Sequence, residues 1–214
     1  MGKDKLKRFA ELETFSNVVQ LVPKFRGTWN TNYFKNSNPI VLELGCGRGE
    51  YTVNLSKLYP HKNFIGIDIK GARIWRGAKT GIEENINNMA FLRIEIEKLE
   101  EHFEKEEVDE IWITFPDPQP QISREKKRLT YDRFLMMYKN ILKPNGIVHL
   151  KTDNDGLYEY TLEKIKEFNF KIIQHTADLY QEPWLDELLS IQTTYEKIYR
   201  DKGKNINYLK FQFS

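Results

Sequence analysis

Short apolar, β-branched runs alternate along this chain with stretches whose apolar residues recur at helical spacing. The runs at Ile40-Val41-Leu42, Asn63–Asp68, Met89–Glu95, Val108–Phe115, Ile147–Thr152 and Phe170–His175 predict six strands. Between them, TVNLSKLY, Lys70–Asn85, Tyr131–Leu142 and Gly156–Phe168 predict helices, the third closed by the stop signal Lys-Pro-Asn-Gly. Thr193-Thr-Tyr-Glu196 has capping-box spacing and opens a short helix ending at Gly203. Ile206–Phe213 alternates as a last, antiparallel strand. Strands and helices in this order predict a doubly wound α/β fold: a mostly parallel, seven-stranded sheet with helices on both faces.

The first strand runs into Glu43 and then a loop with glycine at every second position, Gly45, Gly47 and Gly49. Alternate glycines let the backbone turn sharply and let a ligand lie close to the main chain. The spacing is GxGxG, whereas the dinucleotide fingerprint is GxGxxG. Glu43 and Glu50 flank the loop and would repel a diphosphate, but they suit a cationic ligand without phosphate, such as S-adenosylmethionine. Asp68 ends the second strand ~20 residues past the loop, the distance at which a carboxylate meets ribose hydroxyls, although it also stands where a helix cap would. Glu95 ends the third strand, where an acid can accept from an adenine amine.

The fourth strand runs into Pro116-Asp117-Pro118-Gln119-Pro120. Three alternating prolines fix their own φ angles and restrict the residue before each. Asp117 is thereby held in a stiff loop at the carboxyl end of a central strand, where open α/β sheets place their chemistry. Asp153 lies at another strand end, or caps the helix that follows.

Hydrophobic residues at 40% and charged residues at 30% fit one globular domain over residues 39–214. Residues 1–38 read as a basic arm and connector, partly flexible when free as termini often are, with a short amphipathic helix and with Lys5, Lys7, Arg8, Lys24 and Arg26 able to meet phosphates. The N-terminus is too charged for a secretory h-region, and no apolar run approaches the ~20 residues of a membrane span. The single cysteine, Cys46, excludes an internal disulfide and a multi-cysteine zinc site, so a cytoplasmic protein without a metal is expected. The four histidines are scattered and carry no expected role. Net charge is only +2, but its distribution is uneven. Glu95–Glu110 holds nine acids against two lysines, and Gln121–Lys151 holds eight Lys/Arg against two acids. Lys70, Arg73, Arg76 and Lys79 recur every third residue beside the glycine loop, so a basic face for a polyanion is expected.

With these residues in place, the chain resembles the bacterial tRNA (guanine-N7-)-methyltransferase family from about Asn30 to the C-terminus. The likeness rests on ELGCGRG, GIDIKGARI, FPDP followed by EKKRLTYDRFL, LKTDN and TTYE. It implies a Rossmann-like, class I methyltransferase fold and a monomer or homodimer. It also implies methyl transfer from S-adenosylmethionine to N7 of guanosine 46 in the tRNA variable loop. By position, Glu43, Gly45, Gly47, Asp68, Glu95 and Asp117 would line the cofactor site, with Asp117 catalytic. Gln121, Asp153, Thr193, Thr194, Tyr195 and Glu196 would contact the guanosine or the RNA. Arg73, Arg76, Arg124, Lys126, Lys127 and Arg128 would hold phosphates. The family usually reads PDPWPKKRHxKRRL, so Gln119, Gln121 and Arg124 replace a tryptophan, a lysine and a histidine. Gln119 and Gln121 support a competing reading, an idle RNA-binding module on the same fold. Because fold alone never fixes substrate, a methyltransferase for a small molecule or another nucleobase is a second.

Overall fold

The computed structural model describes residues 2–213, with side chains from Lys5 onward. Helix α1 (Gly2–Leu12) and a three-residue strand, β1 (Val18–Gln20), precede a π-helical turn at Trp29–Phe34. The chain then alternates through β2 (Ile40–Leu44), α2 (Glu50–Leu58), β3 (Asn63–Ile67), α3 (Gly71–Glu83) and β4 (Met89–Arg93). After the short α4 (Leu99–His102) come β5 (Val108–Thr114), α5 (Asp132–Ile141), β6 (Leu142–Thr152), α6 (Asp155–Glu167) and β7 (Lys171–Thr176). A long loop leads to α7 (Thr194–Asp201) and β8 (Asn207–Gln212).

One sheet holds the strands in the order β1-β4-β3-β2-β5-β6-β8-β7. Pairing is parallel from β1 to β6, and β8 runs antiparallel to both β6 and β7. The doubly wound architecture is as expected, with eight strands where seven were predicted. The extra one is β1, which pairs Val18 with Phe91 at the sheet edge. A three-residue strand is too short for an alternation to show in the sequence.

Strands β2 and β3 are buried along their whole length, as parallel strands covered on both faces must be. Their side chains divide by period two. Leu42, Leu44, Ile65 and Ile67 face one core with Phe134 and Tyr138, while Val41 and Phe64 face the other with Tyr51, Ile74 and Trp112.

The N-terminal segment is docked on this body. Leu12 is buried, the Arg8 guanidinium lies 4.9 Å over the Trp75 ring, and Trp75 Nε1 donates to Glu11 Oε2 at 2.7 Å. Arg26 pairs with Glu104 at 2.7 Å and donates to the Glu100 carbonyl. Trp29 fills the corner beneath, stacked on Phe103 at 5.6 Å.

A glycine in α3 sets how closely that helix meets the ligand loop. A Cβ on Gly77 would lie 2.7 Å from the Arg48 carbonyl oxygen and 3.1 Å from Gly49 Cα, both backbone atoms. Gly77→Ala is therefore expected to destabilise the fold by about 1–3 kcal/mol in urea unfolding. An unchanged midpoint would mean that helix and loop separate without cost.

Candidate active site

The chain winds outward from β2 through β3 and β4, then returns to place β5 on the other side of β2. Open α/β sheets bind their ligands at such a reversal, outside the carboxyl ends of the strands. Glu43 on β2 and Thr114 on β5 meet across it, Thr114 Oγ1 donating to Glu43 Oε1 at 2.9 Å. The other carboxylate oxygen accepts from the Thr52 amide at 2.8 Å and from the Thr52 hydroxyl. Three hydrogen bonds do not offset the loss of water. Burial pushes the Glu43 carboxyl up to about 7, with the nearby Glu50 charge adding to the rise. Among the described residues, no basic side chain forms an ion pair with Glu43.

Two cavities that share Gly45 open over this point. The first, of about 260 Å³, is lined by Glu43, Gly47, Glu50 and Thr114, with Phe115, Arg73 and Thr193–Tyr195 closing it. The second, of about 180 Å³, is lined by Asp68, Ile69, Glu95, Ile96 and Phe134. Asp68 Oδ2 accepts from the Gly47 amide at 3.0 Å and Oδ1 from the Lys70 amide at 2.8 Å. It thus holds the glycine loop and the turn into α3 while lining the second cavity. Gly45 sits at φ +72°, and nothing lies within 4 Å of where a Cβ would stand. A side chain there would enter the open space between the two cavities. A larger hollow of about 490 Å³ lies between α2 and residues 187–197, but it gathers no comparable set of acids.

Asp117, expected to line the cofactor site, is instead exposed on the loop after β5, two residues beyond Phe115, and lines neither cavity. Its Oδ1 accepts from the Gln119 amide at 3.1 Å. Phe115 and Gln119 bracket it at φ +48° and +44°, backbone that non-glycine residues seldom adopt. Such strain persists where the surroundings over-determine the loop, and it clusters at working sites. The loop is also braced from behind. Arg128 Nε donates to the Gln119 carbonyl at 3.2 Å, and its guanidinium lies 4.3 Å over the Tyr160 ring. Arg128, expected on phosphate, is committed to this brace.

The wall of the first cavity comes from the start of α7. Thr193 caps that helix, accepting from the Glu196 amide at 3.1 Å. Thr194 donates its amide, at 2.7 Å, and its hydroxyl to Glu50, so this flanking acid both lines the first cavity and holds its wall. Tyr195 is exposed, but Glu196 is fully buried and its carboxylate faces Lys151 at 2.8 Å. Glu196 is therefore turned away from the cleft in which it was expected to meet substrate. Asn154, not Asp153, caps α6, accepting from the Leu157 amide at 2.8 Å. Asp153 pairs instead with Lys204 at 3.1 Å.

Of the expected phosphate contacts, Arg124 and Lys126 are exposed, Lys127 borders the second cavity and Arg73 borders the first. Arg76 is exposed and reaches Thr80 and Glu83 on its own helix. Gln121 is exposed at the start of the turn that carries Arg124. Residues the sequence gave no reason to single out are Thr52 and Thr114, which hold Glu43, and Lys151, which holds Glu196. Among the described residues, no helix is long and apolar enough to cross a membrane.

Known proteins resemble this chain over almost its whole length. A family model described as "Putative methyltransferase" matches residues 37–209. A tRNA (guanine-N(7)-)-methyltransferase of Christiangramia forsetii is 51% identical, over 99% of this chain and 98% of its own. One of Cytophaga hutchinsonii is 48% identical, over 100% and 99%. Among solved structures, the 16S rRNA methyltransferase KamB superposes with a TM-score of 0.67 at 14% identity, over 91% of this chain and 98% of its own.

Proposed function

This chain belongs to the tRNA (guanine-N(7)-)-methyltransferase family, and we propose from there that it moves the methyl of S-adenosylmethionine to N7 of guanosine 46 in the tRNA variable loop. The observation that carries the reading is Glu43: a buried carboxylate at the strand reversal, without a basic partner among the described residues, lining a cavity that also holds the glycine loop. A cationic ligand supplies the charge that this acid lacks. The donor set fits the methyl donor, with Glu43 and the Gly45–Gly47 backbone at its amino-acid end and Asp68 and Glu95 at its nucleoside end. When bound, that cofactor supplies an electrophilic methyl on a positively charged sulfur.

Guanine N7 has a free lone pair and no proton to lose, so no residue need act as a base. What the protein supplies is alignment, which can lower a barrier by up to roughly 7–11 kcal/mol. Positive charge moves onto the purine as the new bond forms, and a fixed carboxylate stabilises that shift. We assign this to Asp117, which can also accept from the guanine N1 and N2 donors. Thr193, Thr194 and Tyr195 form the facing wall.

Transfer of a tritium-labelled methyl from the cofactor to tRNA, with the modified nucleoside identified after digestion, tests the reading. Labelled N7-methylguanosine supports it. Unlabelled tRNA points to the idle module, and label on another base points to a different nucleobase specificity.

The exposed cations Arg73, Arg76, Arg124, Lys126 and Lys127 would dock the RNA by displacing counterions. Engagement of roughly four phosphates predicts that tRNA affinity falls about 100-fold between 50 and 200 mM salt. Filter binding across that range checks it, and Lys126→Ala with Lys127→Ala should flatten the slope by about two. A constant affinity would argue against a basic docking face.

A further inference from the structure

Lys151 lies at the carboxyl end of β6 and is wholly buried, with Glu196 equally buried beside it. An ammonium has three protons and no acceptor, so three acceptors satisfy it. Here they are the Glu196 carboxylate at 2.8 Å and the carbonyls of Leu189 and Ile191, at 2.9 and 3.1 Å. The same carboxylate accepts from the Tyr180 hydroxyl at 2.8 Å, and that hydroxyl accepts from Gln192 Nε2 at 3.1 Å. The Arg200 guanidinium lies 3.5 Å over the Tyr180 ring. The hydrogen-bond partners of the Lys151 ammonium therefore all belong to the segment that carries Thr193, Thr194 and Tyr195 into the first cavity, while its one ring contact among the described residues is Tyr51 of α2, at 5.4 Å. From the far side, Glu50 holds Thr194.

A buried ion pair is weak evidence for stability, since apolar residues of similar volume often serve as well. This one lies directly beneath a cavity wall and joins it to a strand end. We propose that Lys151, Glu196 and Tyr180 are the positioning device of the cleft. They fix the Thr193–Tyr195 wall relative to the strand ends, and Glu196 acts through Lys151 rather than by touching guanosine. The proposal rests on the reading of the cleft as the methyl-donor site.

Lys151→Met, Glu196→Gln and the double variant separate these roles, with S-adenosylhomocysteine affinity measured by calorimetry alongside kcat and tRNA affinity. Each single change is expected to weaken S-adenosylhomocysteine binding about tenfold or more and to lower kcat. Affinity for tRNA should stay within about twofold, because the docking cations are untouched. The two losses should not multiply, so the double variant is expected within about threefold of the weaker single one. Independent, multiplying losses overturn the proposal. So does a Glu196→Gln variant whose tRNA KM rises while its S-adenosylhomocysteine affinity holds. If the single variants do not fold, Tyr180→Phe removes one bond from the same carboxylate. It should weaken S-adenosylhomocysteine severalfold, and unchanged affinity overturns the proposal. Wild-type protein that fails to bind S-adenosylhomocysteine sinks the reading of the cleft itself.

Discussion

Asp117→Ala is expected to cut tRNA methylation by about 100-fold or more, the usual cost of removing one preorganised group facing transition-state charge. S-adenosylhomocysteine affinity should change far less, because Asp117 lines neither cavity. The fold should also survive. The carboxylate is exposed, and among the described residues it bonds only the Gln119 amide within its own loop. Single-turnover methylation at saturating tRNA and cofactor isolates the effect from binding. Turnover close to wild type would remove Asp117 from the chemistry. It would also leave the strain at Phe115 and Gln119 without a function to explain it.

Glu43→Gln should act in opposite directions on stability and on cofactor binding. Burial raises the Glu43 carboxyl from 4.5 to about 7, so the free protein resists its ionisation. A carboxyl with a raised folded pKa contributes stability that is complete below 4.5 and is lost as pH rises through about 7. At pH 8 that loss amounts to about 3 kcal/mol. A glutamine cannot ionise, yet it can still accept from Thr52 and meet Thr114. The variant without cofactor should therefore be the more stable protein at pH 8, and the advantage should vanish near pH 4.5. Its affinity for S-adenosylmethionine should fall by about tenfold or more with the lost charge. Urea unfolding at the two pH values, with calorimetry for the cofactor, reads both effects. A variant less stable than wild type by the same amount at both pH values would show that Glu43 is not held against its charge.

The parts of this protein that were legible in its sequence are those written locally. Short apolar, β-branched runs marked β2 to β7, and the glycine spacing with its acids marked the ligand loop. Three prolines marked Asp117. What stayed hidden depends on partners far along the chain. Thr193 and Glu196 do have capping spacing, and Thr193 does accept from the Glu196 amide. The Glu196 side chain, however, turns to Lys151, a residue 45 positions earlier that no local pattern connects to it. Arg128 sits in a basic run that reads as a phosphate surface, yet its bonds go back to the Gln119 carbonyl. Glu50 was legible as an acid beside the loop but not as the partner of Thr194, 144 residues away. Charge can be counted from a sequence, but the direction in which a charged side chain points is set by packing.

The most direct test uses a tRNA transcript that carries 7-deazaguanosine at position 46. This analogue keeps the Watson–Crick edge and the stacking surface of guanosine but replaces the attacking nitrogen with carbon. Ordinary transcript should accept a single labelled methyl, lost when guanosine 46 is replaced by the analogue, while both transcripts bind alike. Equal labelling of the two would place the methyl elsewhere and contradict the assignment of guanosine N7 as the group that Asp117 presents.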